Sequence, residues 1–282
     1  MNKLTILGVF FDGYKDLWID FVRLFKKYWP DCPYELVITS NTENYDYFEG
    51  IKVINAGKNA EYSKKIQFAL QEVESDYYLI LLEDFFMSKK INNNDFNTLF
   101  NNIIDRQIKY YSMPMNEFSN NYKGKKIQGH KFERTISHKA KYTLSCQPAI
   151  WEKNFLMNCI GNENYNAWVF EGVFCKSKVA HSKDFLKDCI VNTNNPLAIL
   201  HGALQGKIVP TTSQTLFENG YQLSTNREVI PKFIYKKYLR KIKIRGLLPY
   251  FMQNMLRKII NHKSVLDKYN IEIDAIIKER GI

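Results

Sequence analysis

The sequence has no close pair of cysteines. Its five, Cys32, Cys146, Cys159, Cys175 and Cys189, are odd in number and widely spread. The C-x-x-C spacing of zinc and redox sites is therefore missing, and reduced thiols in a cytoplasmic protein are expected. There is also no apolar run near the roughly 18 residues a membrane-spanning helix needs. The opening MNKLTILGVFFDGY has one Lys before a short apolar run and no small-residue cleavage site, so it reads as a first strand rather than a signal peptide. No internal repeat is visible, and no basic stripe runs through the first 228 positions.

What is present is a chain of 282 residues, 45% hydrophobic and 15% aromatic, long enough to bury a large core in one big domain or two modest ones. The net charge of +11 is unevenly placed. Val229 to Ile282 holds 13 Lys and Arg against 4 Asp and Glu, leaving 27 against 25 for the rest. The body is nearly neutral and the tail is basic.

The first third alternates two periods. LTILGVFF (4–11), YELVIT (34–39), Ile51 to Ile54 and YYLILL (77–82) read as strands, and LWIDFVRLFKKYW (17–29) and YSKKIQFALQEV (62–73) place apolar residues at helical spacing. Pro30 and Pro33 stop the first helix. Further on, 91–110 reads as a polar-faced helix, 111–150 as short strands and loops, and Trp151 to Cys159 and WVFEGVFCKSKV as helices. LAILHGALQGKIVP then reads as a strand or turn before the final body strand. Strands alternating with helices predict a mainly parallel sheet covered on both faces, with ligands beyond the C-terminal strand ends.

One such end is unusual. In YYLILLEDFFMSKK the greasiest run meets two adjacent acids, Glu83 and Asp84. Ionised carboxylates are costly to bury unless paired, so this position calls for a metal ion, a cation or water.

Taken in order, FFDGY (10–14), NAEYSKKIQFAL (59–70), LILLEDFF (79–86), LSCQPAIWEKNFL (144–156), NAWVFEG (166–172) and HGALQGK (201–207) resemble the GT-A class of nucleotide-sugar-dependent glycosyltransferases. The likeness is to bacterial enzymes of capsular polysaccharide and lipopolysaccharide biosynthesis. The likeness covers about residues 1–215 and implies an α/β fold, a GT-A-like Rossmann-type mainly parallel sheet with helices on both faces, in a domain over 1–228; the charge pattern adds a basic amphipathic helical extension over 229–282. The likeness implies transfer of a sugar from a nucleotide-sugar donor to a hydroxyl of a surface-glycan or lipid-linked acceptor, with inversion.

The resemblance also implies roles. Where such enzymes carry Asp-x-Asp, this chain has Glu83-Asp84-Phe85; Asp84, then Glu83, would hold a divalent cation, Mn or Mg, bridging the donor's phosphates, with His201 as a third ligand. Glu171 would be the base that deprotonates the acceptor, ahead of Glu163. Trp168, Gln147 and Trp151 would shape the acceptor pocket. Asp12 and Asn41 would meet the nucleoside, Ser63 and Lys64 the phosphates at a helix start, and Lys207 the diphosphate. Each has a plainer reading that stays open at this stage: solvated acids closing a strand, an exposed acid on an amphipathic helix, turn formers, a structural His, solvated lysines.

The tail offers more than one reading. KFIYKKYLRKIKIRGLLPYFMQNMLRKIINHK (232–263) interleaves ten cations with apolar residues and has no acid. It reads as a peripheral element on the inner face of a plasma membrane, or as helices folded back with a solvated basic face. Single-stranded nucleic-acid binding is a rival function but explains the tail alone, so no nucleic acid is expected as a partner. A non-catalytic sugar-binding relative of the same fold is the other alternative.

Overall fold

The computed structural model describes residues 3–43, 50–115, 124–247 and 265–282. Among these, the strands are β1 (Leu4–Val9), β2 (Glu35–Ser40), β3 (Lys52–Asn55), β4 (Tyr77–Leu82), β5 (Phe85–Met87), β6 (Tyr110–Ser112), β7 (Lys126–Ile127), β8 (His130–Thr135), β9 (Ala149–Glu152), β10 (Cys189–Asn192), β11 (Ile199–His201), β12 (Ala203–Leu204) and β13 (Lys207–Ile208). The helices are α1 (Lys15–Tyr28), α2 (Tyr62–Glu72), α3 (Asn93–Asp105), α4 (Lys153–Ile160), α5 (Ala167–Lys176), α6 (Pro210–Glu218), α7 (Lys232–Leu247) and a C-terminal helix, Asn270–Arg280.

Nine strands form one sheet in the order β3-β2-β1-β4-β9-β6-β10-β8-β7. β1 pairs in parallel with β2 and β4, while β9 and β8 run against their neighbours. The chain therefore leaves β1 to build one side of the sheet and returns to build the other from β4. That reversal between β1 and β4 marks the place, beyond their C-terminal ends, where ligands settle in the crevice of open α/β sheets.

Both faces are covered, and the strand residues show it. In β4, Tyr77, Leu79 and Leu81 join the cluster under α1 and α3, while Tyr78 and Ile80 join the one under α2, α4 and α5. Apolar residues at every position are what a sheet buried on both faces requires.

Side-chain caps fix where the later helices begin. The Glu152 carboxylate accepts the N–H groups of Asn154 (2.9 Å) and Phe155 (2.7 Å), so α4 starts at Lys153. Trp151, expected to open that helix, instead sits in β9 opposite Tyr78 and Tyr110. Asn166 caps α5 through Trp168 and Val169, which sets the rotation of the helix that carries Glu171.

The segment after residue 228 does not stand apart from the body. Ile230 N–H donates to Ile208 O, and Ile273 and Ile276 of the C-terminal helix are buried against the α5 side of the core. Arg280 ties that helix down by bonding Glu163 and donating to the carbonyls of Cys159 (2.9 Å) and Ile160 (2.6 Å). Of the basic run expected over 232–263, positions 248–263 lie outside the described residues.

Candidate active site

The first turn of α2 is the hub. Its four residues face four ways: Tyr62 towards Phe170 and Cys146, Ser63 into the 163–165 loop, Lys64 along the surface to Gln67, and Lys65 inward. Ser63, expected at a phosphate, is fully buried; it donates to Glu163 O at 2.8 Å and accepts from Tyr165 N–H. It braces a loop.

Lys65, only 3% exposed, reaches the crevice. Its Nζ donates to Phe10 O at 2.7 Å, lies 5.5 Å from the Phe11 ring centre, and faces Glu83 and Asp12. Burial pushes its pKa down, opposed by Glu83, Asp12 and Glu61. A buried ammonium at a parallel strand end is poised for anionic groups.

The two acids after β4 part company. Burial raises the Glu83 carboxyl well above the ordinary range, and the neighbouring Asp84 raises it further, with Lys65 opposing. Glu83 thus belongs with Lys65 and the Phe11 backbone. Burial also raises Asp84, against the pull of His201 and of Arg227. Asp84 Oδ2 lies 3.6 Å from His201 Nε2 and 3.4 Å from the Ala203 N–H.

Strand pairing brings His201 there. β11 pairs antiparallel with β5 so that His201 stands opposite Phe85, and Gly202 N–H donates to Asp84 O at 2.7 Å. Only a glycine permits this approach, since a Cβ at position 202 would lie 2.6 Å from that same oxygen and from the Phe86 ring.

Would these residues hold a divalent ion? Among the described residues no three His, Cys, Asp or Glu donors stand together as a cage. Asp84 and His201 do offer a carboxylate and an imidazole at one point, and a cation that also takes substrate phosphates needs only one or two protein ligands. The donor set fits an ion shared with a diphosphate.

Arg227 is a second cation at the crevice. It bonds Asp16, donates to Gly13 O and Gly206 O at 3.1 Å each, and lies 4.1 Å from the Tyr14 ring centre. Gly206 O is presented by the tight β12–β13 turn, where Gln205 and Gly206 both have positive φ.

Asp12 and Asn41 shape the loops around the crevice. Asp12 accepts the backbone N–H groups of Asn41 (2.8 Å), Thr42 (2.9 Å) and Glu43 (3.2 Å). The Asn41 amide donates to Gly57, Lys58 and Ala60 carbonyls, while its buried Oδ1 has no hydrogen-bond partner among the described residues. Beside it a cavity of about 400 Å³ is lined by Gly57, Ala60, Lys64, Phe68 and Asn164, among others.

Glu171 is half-buried, and its Oε1 accepts the Cys146 N–H at 3.0 Å. Burial raises its carboxyl, opposed by that bond and by Lys141. Trp168, one turn before it, is 46% exposed. Gln147 accepts the Met115 N–H through Oε1 at 3.2 Å. Trp151 is not at a surface at all; its ring packs 4.3 Å from Tyr110 and against Phe155 and Phe170. An indole in a central strand of a doubly covered sheet has no open side. Glu163 is committed to Arg280, and Lys207 to the exposed Glu228 at 2.5 Å.

No family model matches the chain, and no curated protein matches it. Solved structures do. S. aureus TarS aligns with TM-score 0.45 and 13% identity over 68% of this chain and 35% of that one. Its 1–349 form in complex with UDP-GlcNAc gives 0.39 and 15% over 55% and 47%. A cytidylyltransferase from Leptospira borgpetersenii serovar Hardjo-bovis gives 0.38 and 14% over 62% and 70%. The chain spans about a third of the TarS it matches. At these TM-scores the likenesses carry no argument about activity, which rests on the site itself.

Lys65, Arg227, Asp16, Tyr14 and the half-exposed Phe11 escape sequence reasoning. Lys65 left a trace, because it sits three after Tyr62 and four before Ala69, inside an apolar helix stripe. Arg227 left none: STNREVIP reads only as the end of the body.

Proposed function

We propose that this chain is a nucleotide-sugar-dependent glycosyltransferase whose donor lies in the crevice between the C-terminal ends of β1 and β4. The observation that supports this reading is the convergence there of Asp84 and His201 with two cations, Lys65 and Arg227. That set suits a diphosphate, which needs positive charge held in place as it departs.

Asp12 holds the post-β2 loop and Asn41 the loop before α2, so the nucleoside is received against pre-formed backbone. Lys65 and Arg227 orient the phosphates. Asp84 and His201 would hold a divalent ion, which would supply further charge to the leaving group. Glu171, made more basic by burial, takes the proton from the acceptor hydroxyl as its oxygen attacks the anomeric carbon; the bond from that carbon to the diphosphate breaks with its electron pair leaving on the phosphate. Attack opposite the leaving group inverts the centre. Trp168 and Gln147 flank the acceptor, a hydroxyl of a growing surface glycan.

The test is a thermal-shift screen with UDP, GDP, CMP and dTDP, each with and without Mn, followed by donor hydrolysis. A Mn-dependent rise with one nucleotide, abolished by Asp84→Ala, is expected. No shift with any nucleotide overturns the reading.

A further inference from the structure

We propose that the outer face of α7 is a docking surface for an anionic lipid bilayer. α7 meets the body through Tyr235, Tyr238 and Leu239, packed with Val209, Ile230 and Leu204. At about 100° per residue, the opposite side of the helix carries Phe233, Lys237, Arg240 and Ile244, with Lys236 and Lys243 on its flank, and every one of them is exposed. Phe233 is 74% exposed and Ile244 60%. They lie about 16 Å apart along the axis, framed by those four cations, and the helix has no acid.

A second exposed apolar area lies on the body. Phe217 of α6, 73% exposed, lines a surface groove of about 610 Å³ with Val229, Ile230 and Pro231, next to the first turn of α7. Lys232 Nζ bridges the two helices by donating to Gln214 Oε1 at 3.2 Å.

Large apolar side chains ringed by cations match the boundary of a negatively charged membrane. The apolar groups enter the acyl edge while the cations meet lipid phosphates. Nucleic acid would meet the same cations and stack on Phe217 and Phe233, but Ile234, Ile244 and Val229, all exposed, are aliphatic, and an acyl edge is what covers such groups. The crevice between β1 and β4 shares no residue with this surface, so the docking and the transferase reading stand or fall separately.

The experiment is co-sedimentation of the full chain with phosphatidylcholine vesicles, with and without phosphatidylglycerol, at low and high salt. The unaltered chain is expected to pellet only with phosphatidylglycerol and to be released by salt. Lys236→Gln with Arg240→Gln should weaken binding about thirtyfold, the conversion of about 1 kcal/mol for each of two near-surface cations. Phe233→Ser with Ile244→Ser should weaken it at unchanged charge. Both pairs are exposed, and thermal melts check their folding; the lipid and salt dependence of the unaltered chain needs no variant. Failure to pellet with phosphatidylglycerol, variants that bind as tightly as the parent, or binding to a single-stranded oligonucleotide but to no vesicle overturns the proposal.

Discussion

Arg227 holds Asp16 through two parallel hydrogen bonds, Nε to Oδ2 and Nη2 to Oδ1, each 2.7 Å long. The same Oδ2 accepts from Thr225 Oγ1 at 2.5 Å. The guanidinium holds the Asp16 carboxyl below its usual range, and Asp16 raises Arg227 in return. The clamp fastens the chain after residue 223 to the start of α1 and holds the guanidinium, its charge matched by Asp16, at the crevice.

A lysine cannot reproduce that fork or its stacking on Tyr14. Arg227→Lys is therefore expected to cost about 1–2 kcal/mol, lowering the melting temperature by roughly 3–6 °C for a chain of this size. Nucleotide affinity should fall about tenfold, for one weakened charged contact. Melting curves and titration calorimetry read the two effects. A variant with parental affinity would remove Arg227 from the donor site.

Gly202 governs whether His201 reaches Asp84. A Cβ there must displace the Asp84 carbonyl or the Phe86 ring, so Gly202→Ala should destabilise by about 2 kcal/mol. It should also abolish any Mn-dependent part of the nucleotide-induced shift in melting temperature, because β11 can no longer lie against the turn after β4. The pair of melts with and without Mn measures this.

Glu171→Gln keeps an oxygen for the Cys146 N–H, so folding should be unaffected. Turnover should fall about 10²- to 10⁴-fold, the usual contribution of a positioned base, with nucleotide affinity unchanged. Equal losses in turnover and affinity would argue against Glu171 as the base.

Acid sensitivity should be traceable to Glu163. Its hydrogen bonds from Arg280 hold the carboxyl below its ordinary value. A carboxylate lowered in the folded state contributes its full stability above the unfolded value of about 4.3, and the contribution is lost as pH falls through the folded value. Glu163→Gln should thus cost about 2 kcal/mol at neutral pH, as a partly buried charge loses its partner, and the difference from the parent should shrink towards pH 3. Urea midpoints between pH 7 and pH 3 record the convergence.

Much of the architecture was legible because hydrophobic period is local information. β4 was expected at Tyr77–Leu82 and is found there; α2 was expected over 62–73 and runs from Tyr62 to Glu72. Trp151 was misplaced because a carboxylate two atoms from the backbone, not the apolar period, decides where α4 begins. α6 went unread although Pro210 marks its first turn, since its buried residues, Pro210, Thr212 and Leu216, make a thin stripe.

The sequence by itself determined an alternating α/β chain, a pair of acids at a strand end and a basic tail, because these depend on residues adjacent along the chain. Tertiary structure alone decided that Asp84 turns to His201 and that Arg227 returns to Asp16. Those contacts join positions up to 211 residues apart. Their geometry is set by strand register and close backbone approach, which no local pattern of residues encodes.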